Sequence, residues 1–313
     1  MQLRDRRILI TGGAGLVGSA LADRLVEAND VLVVDDLSNG RRESVPAEAT
    51  FLEGDLTDAA VLADAVTADL DLVIHCAAAD KYVDTDDPRR QFEVNVGMTH
   101  GLLERMAEGG VDRLAFTSSS TVYGEAPRPT PEDHAPLEPI SVYGAAKLAE
   151  EGLLSVYAHT RGFEVWNLRF ANVVGPRLGA GVIPDFVEKL RADPERLEIL
   201  GDGRQEKSYT HVEDCANAVQ WVIEQSPAPE GPMHTYNLGT RTTTSVDEIA
   251  AIVSDAMGLD PAFEYTGGDR GWAGDVPRMR LDIGKLLDLG WEPELESDGA
   301  VRRVAEALVA GDE

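Results

Sequence analysis

Apolar residues in the first 170 positions follow two alternating patterns. Short apolar runs that are typical of buried strands span residues 6–11, 31–36, 49–55, 71–77, 113–119 and 164–170. Between them, segments with apolar residues at helical spacing span 16–28, 57–67, 88–108 and 142–161. Alternation of strands with helices is typical of a parallel sheet that carries helices on both faces. The pattern therefore predicts an α/β fold with a doubly wound parallel sheet.

The composition of the chain changes near residue 175, where proline and glycine become frequent. This change favours shorter elements and more loops than in the preceding part. We expect residues 1–175 to form a cofactor-binding domain, to which a segment at about 212–240 returns. Residues 176–313 are expected to form, for the most part, a smaller α/β region that binds substrate.

The charge of the chain excludes several classes of partner. Its 313 residues include 56 Asp and Glu against 28 Lys and Arg, which gives a formal net charge of −28. A surface this acidic repels nucleic-acid phosphates and an anionic membrane surface. No apolar run of about 18 residues could span a bilayer. We therefore expect neither nucleic acid nor a membrane as a partner.

Two further features indicate the cytoplasm as the location. The two cysteines, Cys76 and Cys215, are too few for a disulfide framework. A strand-like run begins by residue 8, which leaves no room for a signal peptide at the start of the sequence. Both observations favour a reducing compartment.

The kind of basic residue makes the negative charge more informative. Five of the 28 basic residues are lysines, namely Lys81, Lys147, Lys189, Lys207 and Lys285. Many acids with few lysines are typical of a surface adapted to molar salt, where screening relieves the self-repulsion of the chain. An ordinary acidic protein and a disordered acidic tail are the alternatives. The acids are spread along the whole chain, which argues against the tail.

A glycine-rich turn joins the first predicted strand to the first predicted helix. Gly12, Gly15 and Gly18 are spaced three residues apart in the segment TGGAGLVG. Glycines at such a turn allow a dinucleotide pyrophosphate to approach the backbone, and the helix N-terminus favours its negative charge. A purely structural turn is the alternative. The turn therefore becomes informative only together with its surroundings.

Acidic residues at the ends of the next two strands support a dinucleotide site. Asp35 follows Gly15 by 20 residues, where a carboxylate can bind the ribose hydroxyls. This carboxylate favours NAD over NADP because it repels a 2′-phosphate, although arginines follow at 41–42. Asp55 and Leu56 end the third strand and could contact the adenine amino group and the face of the ring. A solvated carboxylate is the alternative for Asp55.

A tyrosine and a lysine provide candidate catalytic chemistry. Tyr143 and Lys147 are four residues apart, so they lie on one face of the predicted helix. A nearby cation stabilises phenolate and lowers the pKa of a tyrosine towards working pH. The hydroxyl cluster 118–121 ends the fifth strand, at the edge where open α/β sheets bind ligands. Such a set fits hydride transfer at a carbinol, whereas an isolated pair of this kind is mostly a surface contact.

Together these motifs resemble the extended short-chain dehydrogenases/reductases, specifically the NAD-dependent epimerase/dehydratase family. The resemblance covers nearly the whole chain and implies a Rossmann fold. The matching segments are 11–18, 33–40, 54–58, 75–80, 95–96, 118–124, 143–147, 168–177, 201–215 and 274–277.

The resemblance also implies roles for individual residues. The catalytic residues would be Ser119, Tyr143 and Lys147. NAD would contact Gly12, Gly15, Leu16, Val17, Asp35, Asp36, Ser38, Asn39, Asp55, Leu56, Ala77, Ala78, Ala79, Asn95, Tyr143 and Lys147. A nucleotide-diphosphate sugar would contact Ser119, Ser120, Asn172, Val182, Leu200, Lys207, Arg270 and Asp275. No metal site is expected, since no cluster of His, Cys and Asp has zinc spacing.

The residues before Tyr123 decide between reactions of this family. Its members oxidise the sugar at C4 to a transient 4-keto sugar and NADH, and those that then eliminate water or decarboxylate carry Asp or Glu two or three residues before this tyrosine. Here these positions hold Ser120 and Thr121, so a dehydratase would lack its general acid. We expect a 4-epimerase of the UDP-glucose/UDP-galactose type. A 4,6-dehydratase, a UDP-glucuronate decarboxylase, a reductase and a non-catalytic cofactor-sensing protein are the alternatives.

Two departures from the family pattern and one candidate interface complete the expectations. Lys207 stands where the family has arginine, which supplies a cation without the bidentate fork. Arg270 has an unusual spacing to GDVP and could be a surface residue instead of a phosphate ligand. In this family, helices equivalent to 88–108 and 142–161 form a four-helix homodimer interface. The alternative is that their apolar faces pack only on the sheet.

Overall fold

The protein is described by a computed structural model that covers residues 1–79, 87–228, 231, 233–271 and 274–311. The predicted alternation of strands and helices is confirmed. The strands are β1 (Arg7–Thr11), β2 (Asp30–Asp35), β3 (Thr50–Glu53), β4 (Leu72–His75), β5 (Arg113–Ser119) and β6 (Glu164–Phe170), and the helices are α1 (Leu16–Leu25), α2 (Ala59–Ala65), α3 (Pro88–Gly109) and α4 (Val142–Arg161). Asp80 and Lys81, which the sequence analysis used, lie outside the described residues.

The second half of the chain continues with shorter strands, and its described helices have at most 14 residues, against 22 in α3 and 20 in α4. The strands are β7 (Asn172–Val174), β8 (Arg196–Ile199), β9 (Glu206–Lys207), β10 (Tyr209–His211), β11 (His234–Leu238), β12 (Thr244–Ser245), β13 (Ala262–Tyr265) and β14 (Arg278–Met279). The helices are α5 (Val182–Ala192), α6 (Val212–Gln225), α7 (Val246–Met257), α8 (Gly284–Asp288) and α9 (Ser297–Ala310). No helix of the described ranges is long and apolar enough to cross a membrane.

One parallel sheet positions the site. Among the described residues, seven strands form it in the order β11-β6-β5-β4-β1-β2-β3. The order changes direction at β1, which lies between β4 and β2, and such a switch point opens a crevice at the carboxyl ends of the strands. The register places Thr11 beside both Val34 and His75. The turn after β1 and the loop after β4 therefore meet at this crevice.

Three apolar cores hold the described elements together. Two flank the sheet and contain buried residues such as Ile10, Val33 and Trp166 on one side and Leu9, Leu102 and Phe116 on the other. The third lies between α5, α7 and α9 and contains Phe186 and Val253. The proposed division of the chain near residue 175 stays a prediction, although β11 adds to the sheet beside β6.

Local sequence signals fix the start and the end of α4. Ser141 accepts a hydrogen bond from the Gly144 backbone N–H at 3.1 Å, which satisfies one of the free N–H groups of the first turn. Gly162 ends the helix in the left-handed conformation, with a φ of 72°. Tyr143 consequently lies in the first turn of α4, with Lys147 one turn further along.

Candidate active site

A cavity of about 600 Å³ lies where the carboxyl ends of the sheet strands meet the C-terminal region. The sequence predicted many of the residues that line it. From the expected cofactor, catalytic and substrate sets, the lining includes Gly12, Gly15, Leu16, Val17, Ala78, Ser119, Tyr143, Lys147, Asn172, Val182, Leu200, Lys207 and Asp275. The structure thus brings members of all three expected sets to one place.

The remaining expected residues do not line this cavity. They are Asp35, Asp36, Ser38, Asn39, Asp55, Leu56, Ala77, Ala79, Asn95, Ser120 and Arg270. Ser120 is buried, and so is Leu56. The contacts expected of these residues with cofactor or substrate stay predictions.

The glycine turn packs tightly against the loop after β4. Gly12 has a φ of 63°, and a Cβ atom there would lie 2.6 Å from the Ala77 Cα. A Cβ on Gly18 would lie 2.3 Å from the Gly12 carbonyl oxygen. Gly15 precedes α1 and provides no side-chain cap, and Gly15, Leu16 and Val17 line the cavity. Such a cradle fits the pyrophosphate of a dinucleotide.

Asp35 anchors the turn from the end of β2. Its Oδ2 accepts a hydrogen bond from the Ala14 N–H at 2.9 Å, and its Oδ1 accepts one from the Leu37 N–H at 2.8 Å. A carboxylate has about four acceptor positions, so capacity remains for a ribose. Asp36 accepts from the Ser38 backbone N–H at 2.9 Å and from its hydroxyl at 2.6 Å.

A second helix N-terminus opens onto the same cavity. Gly181 precedes α5 with a φ of 123° and no side-chain cap, and both Gly181 and Val182 line the cavity. Asp185 in the first turn is paired with Lys189 at 2.9 Å. Two uncapped helix N-termini are therefore available to two separate anionic groups.

Ser119 and Thr121 form a hydroxyl pair at the end of β5. The Ser119 oxygen accepts hydrogen bonds from the Thr121 backbone N–H at 3.2 Å and from the Thr121 hydroxyl at 2.9 Å. Because both bonds use the oxygen as acceptor, the Ser119 hydroxyl hydrogen remains to be donated. Ser119 lines the cavity and can donate it to an oxygen there.

Lys147 is a buried cation at the floor of the cavity. Its side chain is 1% exposed, and its Nζ lies 4.5 Å from the centroid of the Phe116 ring and 5.9 Å from that of the Tyr143 ring. Among the described residues, none accepts a hydrogen bond from this Nζ. A buried ammonium with unused donors is costly unless a ligand accepts from it. Lys147 therefore fits the ribose of a dinucleotide cofactor.

Asn95 on α3 acts on the loop after β4. Its Oδ1 accepts a hydrogen bond from the Ala79 N–H at 2.7 Å, and its side chain is fully buried. The Ala77 N–H donates to the Thr11 hydroxyl at 3.3 Å. These bonds hold the loop against the glycine turn.

The two basic candidates for the diphosphate lie in different surroundings. Lys207 lines the cavity, and its Nζ contacts Asp275 Oδ1 at 2.5 Å. Arg270 instead donates to the Asp275 backbone carbonyl at 2.8 Å and pairs with Glu125. Of the two, Lys207 faces the cavity directly.

The imidazole and the thiol nearest to Lys147 are neutral. Burial, together with the charge of Lys147, lowers the pKa of His75 to about 3. Burial raises the pKa of Cys76 to about 12. Within the described residues, no three His, Cys, Asp or Glu side chains could hold a metal ion together. His211 ends β10 and caps α6 by accepting a hydrogen bond from the Glu213 N–H at 3.3 Å.

Sequence reasoning missed the apolar wall of the cavity. This wall includes Phe170, Leu178, Phe186 and Val246, which come from four separate parts of the chain. Periodicity marks such residues as core, and only the three-dimensional packing shows that they border a cavity. Gln205 also lines the cavity, and its place in the GDGRQ segment was the available signal.

Comparisons with known proteins agree with this geometry. The model of the NAD-dependent epimerase/dehydratase family matches residues 8–239. The UDP-glucose 4-epimerase of Mycolicibacterium smegmatis is 32% identical over 314 residues, which cover 96% of this chain and 97% of that protein. A crystal structure of a UDP-galactose 4-epimerase is 41% identical, with a TM-score of 0.89, and covers 98% of this chain and 100% of that one.

A third similar protein was solved with a nucleotide sugar. It is the UDP-glucose 4-epimerase of Thermotoga maritima with UDP-glucose, which is 32% identical with a TM-score of 0.87 and covers 98% of this chain and 100% of that one. The seven-stranded sheet, the glycine turn and the matched residues 8–239 lead to one conclusion. The chain belongs to the NAD-dependent epimerase/dehydratase family.

Proposed function

We propose that the protein is an NAD-dependent nucleotide-sugar 4-epimerase that interconverts sugars of the UDP-glucose/UDP-galactose type. The observation that carries this proposal is that no described residue offers an available carboxylate beside Ser119. Among the described residues that line the cavity, the acids are Asp185 and Asp275. Each is paired with a lysine. The residues next to Ser119 are Ser120 and Thr121.

Tyr143, Ser119 and Lys147 would share the proton chemistry at the sugar C4 hydroxyl. Tyr143 takes the hydroxyl proton as the sugar is oxidised, and it returns this proton to the C4 oxygen when the 4-keto sugar, after turning over, is reduced on its opposite face. Ser119 donates a hydrogen bond to the oxygen, which fixes the reacting carbon. The ammonium of Lys147 stabilises the phenolate of Tyr143. Positioned acids and bases of this kind each contribute about 10²- to 10⁴-fold to a rate.

The residues of the glycine turn and the buried lysine would hold the cofactor. When bound, NAD supplies the acceptor and donor of the hydride. The N-terminus of α1 would bind its pyrophosphate, Asp35 the adenine ribose and Lys147 the second ribose. Because one hydride is removed and the same hydride is returned, the enzyme needs no external reductant.

The substrate diphosphate would lie between α5 and Lys207. The N-terminus of α5 offers N–H groups without a side-chain cap, and Lys207 adds one positive charge. Asn172 and Val182 line the same cavity. Arg270, tied to Glu125, would orient Asp275 from outside the cavity and act on the diphosphate only indirectly.

Dehydration is the reaction that this site supports less well. The family includes dehydratases, which must protonate a leaving hydroxyl, and a carboxylic acid is the usual donor. Ser120 and Thr121 ionise too weakly to replace it, and Thr121 already donates its hydroxyl hydrogen to Ser119. The residues that follow Ser119 therefore favour epimerisation over dehydration.

We also infer a homodimer formed through α3 and α4. These helices expose Phe92, Val142 and Val156 to 37%, 39% and 52%. Pairing two copies would bury these side chains in a four-helix interface, and light scattering in molar KCl would give twice the mass of one chain.

The free thiols of Cys76 and Cys215 are compatible with a reducing cytoplasm.

A panel of UDP- and dTDP-sugars in molar KCl tests the function. The proposal predicts that UDP-glucose and UDP-galactose interconvert without net reduction of added NAD. Tyr143→Phe should lose about 10²- to 10⁴-fold in turnover while it still binds NAD. Accumulation of a 4-keto-6-deoxy sugar, release of carbon dioxide or an unchanged turnover of Tyr143→Phe would contradict it.

A further inference from the structure

A chain of buried hydrogen bonds leads from the glycine turn to Lys147. The Ala77 N–H donates to Thr11 Oγ1, which lies 2.6 Å from His75 Nδ1. His75 Nε2 lies 3.0 Å from Thr99 Oγ1, and this hydroxyl donates to Glu150 Oε1 at 2.6 Å. The side chains of the four residues 11, 75, 99 and 150 are fully buried. The other carboxylate oxygen of Glu150 lies 3.5 Å from Lys147 Nζ.

The direction of every bond in this chain can be assigned. Thr99 gives its only hydroxyl hydrogen to Glu150, so its oxygen accepts from His75 Nε2–H. The low pKa of His75, about 3, makes the ring neutral, and its Nδ1 is therefore an acceptor for the Thr11 hydroxyl. All hydrogens of the chain consequently point from the glycine turn towards the Glu150 carboxylate.

Glu150 lies on the catalytic face of α4. Tyr143, Lys147 and Glu150 follow one another at spacings of four and three residues, which places them on one side of a helix. Glu150 Oε2 accepts no hydrogen bond from any described residue, so its charge acts on Lys147 through space. We propose that Glu150 is a positioning residue, which keeps the Lys147 ammonium charged and in place beside Tyr143, and that Thr99 and His75 fasten its carboxylate to the dinucleotide turn. This inference rests on the roles of Tyr143 and Lys147 in the proposed function.

Other titratable groups around this pair are neutral or already matched. At the end of β4, His75 and the Cys76 that follows it are neutral, because burial lowers the pKa of the imidazole and raises that of the thiol. On the other elements packed against α4, charged or titratable groups have partners of their own: Glu151 with Arg169 of β6, Tyr123 of the turn after β5 with Arg169, and His100 of α3 with Glu104. Of the groups that the structure describes, Glu150 is thus the negative charge that faces Lys147.

Removal of the Glu150 charge should shift the pKa values of nearby groups in a defined direction. A nearby fixed negative charge opposes the release of every proton around it, and an opposite charge at this distance shifts a pKa by about 1–3 units. The loss of the carboxylate should therefore lower both apparent steps in the pH dependence of turnover. A residue with only a structural role would change stability or rate but would leave both steps in place.

The pH dependence of turnover in molar KCl tests the inference. In Glu150→Gln, both limbs of the pH–rate profile should move to lower pH by about 1–3 units. Glu150→Asp retains the charge and should move them by less than half as much. If Glu150→Gln does not fold, Glu150→Met takes its place, since it removes the charge without burying a new polar group. Unshifted limbs in the uncharged variant, or an equal shift in Glu150→Asp, would overturn the proposal.

A second readout does not depend on turnover. Ionisation of Tyr143 gives a phenolate absorbance that is isolated by subtracting the same titration of Tyr143→Phe. Glu150→Gln, or Glu150→Met in its place, should bring this absorbance to lower pH, and an unchanged midpoint would overturn the role of Glu150. If the wild-type protein lacks epimerase activity, the proposed function fails while this titration still decides the role of Glu150.

Discussion

Arg169 and Glu151 form a buried, two-bond ion pair behind the site. Arg169 Nε donates to Glu151 Oε1 at 3.0 Å and Nη2 donates to Oε2 at 2.7 Å, and both side chains are less than 10% exposed. The Ser118 hydroxyl also donates to Glu151, at 2.5 Å. Burial alone would lower the pKa of Arg169, but the hydrogen bonds and charge of Glu151 outweigh it and raise this pKa. The pair joins α4 to the end of β6.

Breaking this pair should destabilise the fold. Arg169→Met leaves the Glu151 carboxylate buried without its partner, and such a change costs about 3–5 kcal/mol. Denaturant unfolding in molar KCl measures the loss. Arg302→Met is the matched control, because the exposed pair of Arg302 with Asp255 at 2.8 Å contributes about 0–1 kcal/mol. Equal losses in the two variants would contradict the structural role of Arg169.

The glycines of the turn should differ in their tolerance of a methyl group. Gly12→Ala places a Cβ 2.6 Å from the Ala77 backbone at a positive φ, whereas the Cβ of Gly15→Ala would lie 3.3 Å from the Gly12 carbonyl oxygen. We expect Gly12→Ala to lower the thermal midpoint strongly, since left-handed backbone alone costs an alanine about 1–2 kcal/mol. Gly15→Ala should still fold, but it should bind NAD more weakly than the wild-type protein does. Similar thermal midpoints for the two variants would contradict this prediction, because the backbone of the turn would then have moved to make room for the Cβ atom at position 12.

The neutral state of His75 predicts how stability depends on pH. The pKa of His75 falls from 6.5 to about 3 on folding, so the unfolded chain binds the extra proton between these values. Stability should therefore decrease as the pH falls from 6.5 towards 3, with a contribution from this residue of about 1.4 kcal/mol per pH unit. His211 and His234, whose pKa values burial also lowers, act in the same direction.

The variant His75→Gln isolates that contribution. The slope of the unfolding free energy against pH is measured from roughly pH 5 to 6.5. In the variant it should become shallower by about 1.4 kcal/mol per pH unit, which corresponds to one proton. Comparison of slopes is independent of any constant loss of stability caused by the substitution. An unchanged slope would mean that His75 is protonated in the folded protein.

The surface charge predicts a requirement for salt. At roughly 1 M ionic strength the Debye length is about 3 Å, against about 10 Å at 0.1 M, so dilute buffer restores repulsion among the surplus acids. The thermal midpoint and the turnover should fall together as KCl is removed. The combined variant Glu48→Gln, Asp64→Asn and Glu306→Gln, all at exposed positions, should need less salt. Full stability and turnover in dilute buffer would contradict adaptation to high salt.

Local patterns predicted the sheet and the turn because these features depend on neighbouring residues. The run RILIT, the three glycines and the spacing of Tyr143 from Lys147 each report on a single strand, turn or helix. The chain of buried hydrogen bonds from Thr11 to Glu150 joins residues that are up to 139 positions apart. Its contacts depend on the register of β1 with β4 and on the packing of α3 against α4. No periodicity encodes such contacts. The same limit hid the apolar wall of the cavity.

Deuterium at the C4 position of UDP-galactose offers the most direct test of the central claim. In a 4-epimerase, the hydride that leaves C4 returns to C4, so UDP-glucose formed by the purified protein in molar KCl should keep the label there. A dehydratase would instead move the label to C6 of a 4-keto-6-deoxy product. Mass and NMR analysis of the product decides between them. Retention at C4 is the result that we predict, and label at C6 or the absence of UDP-glucose would contradict it.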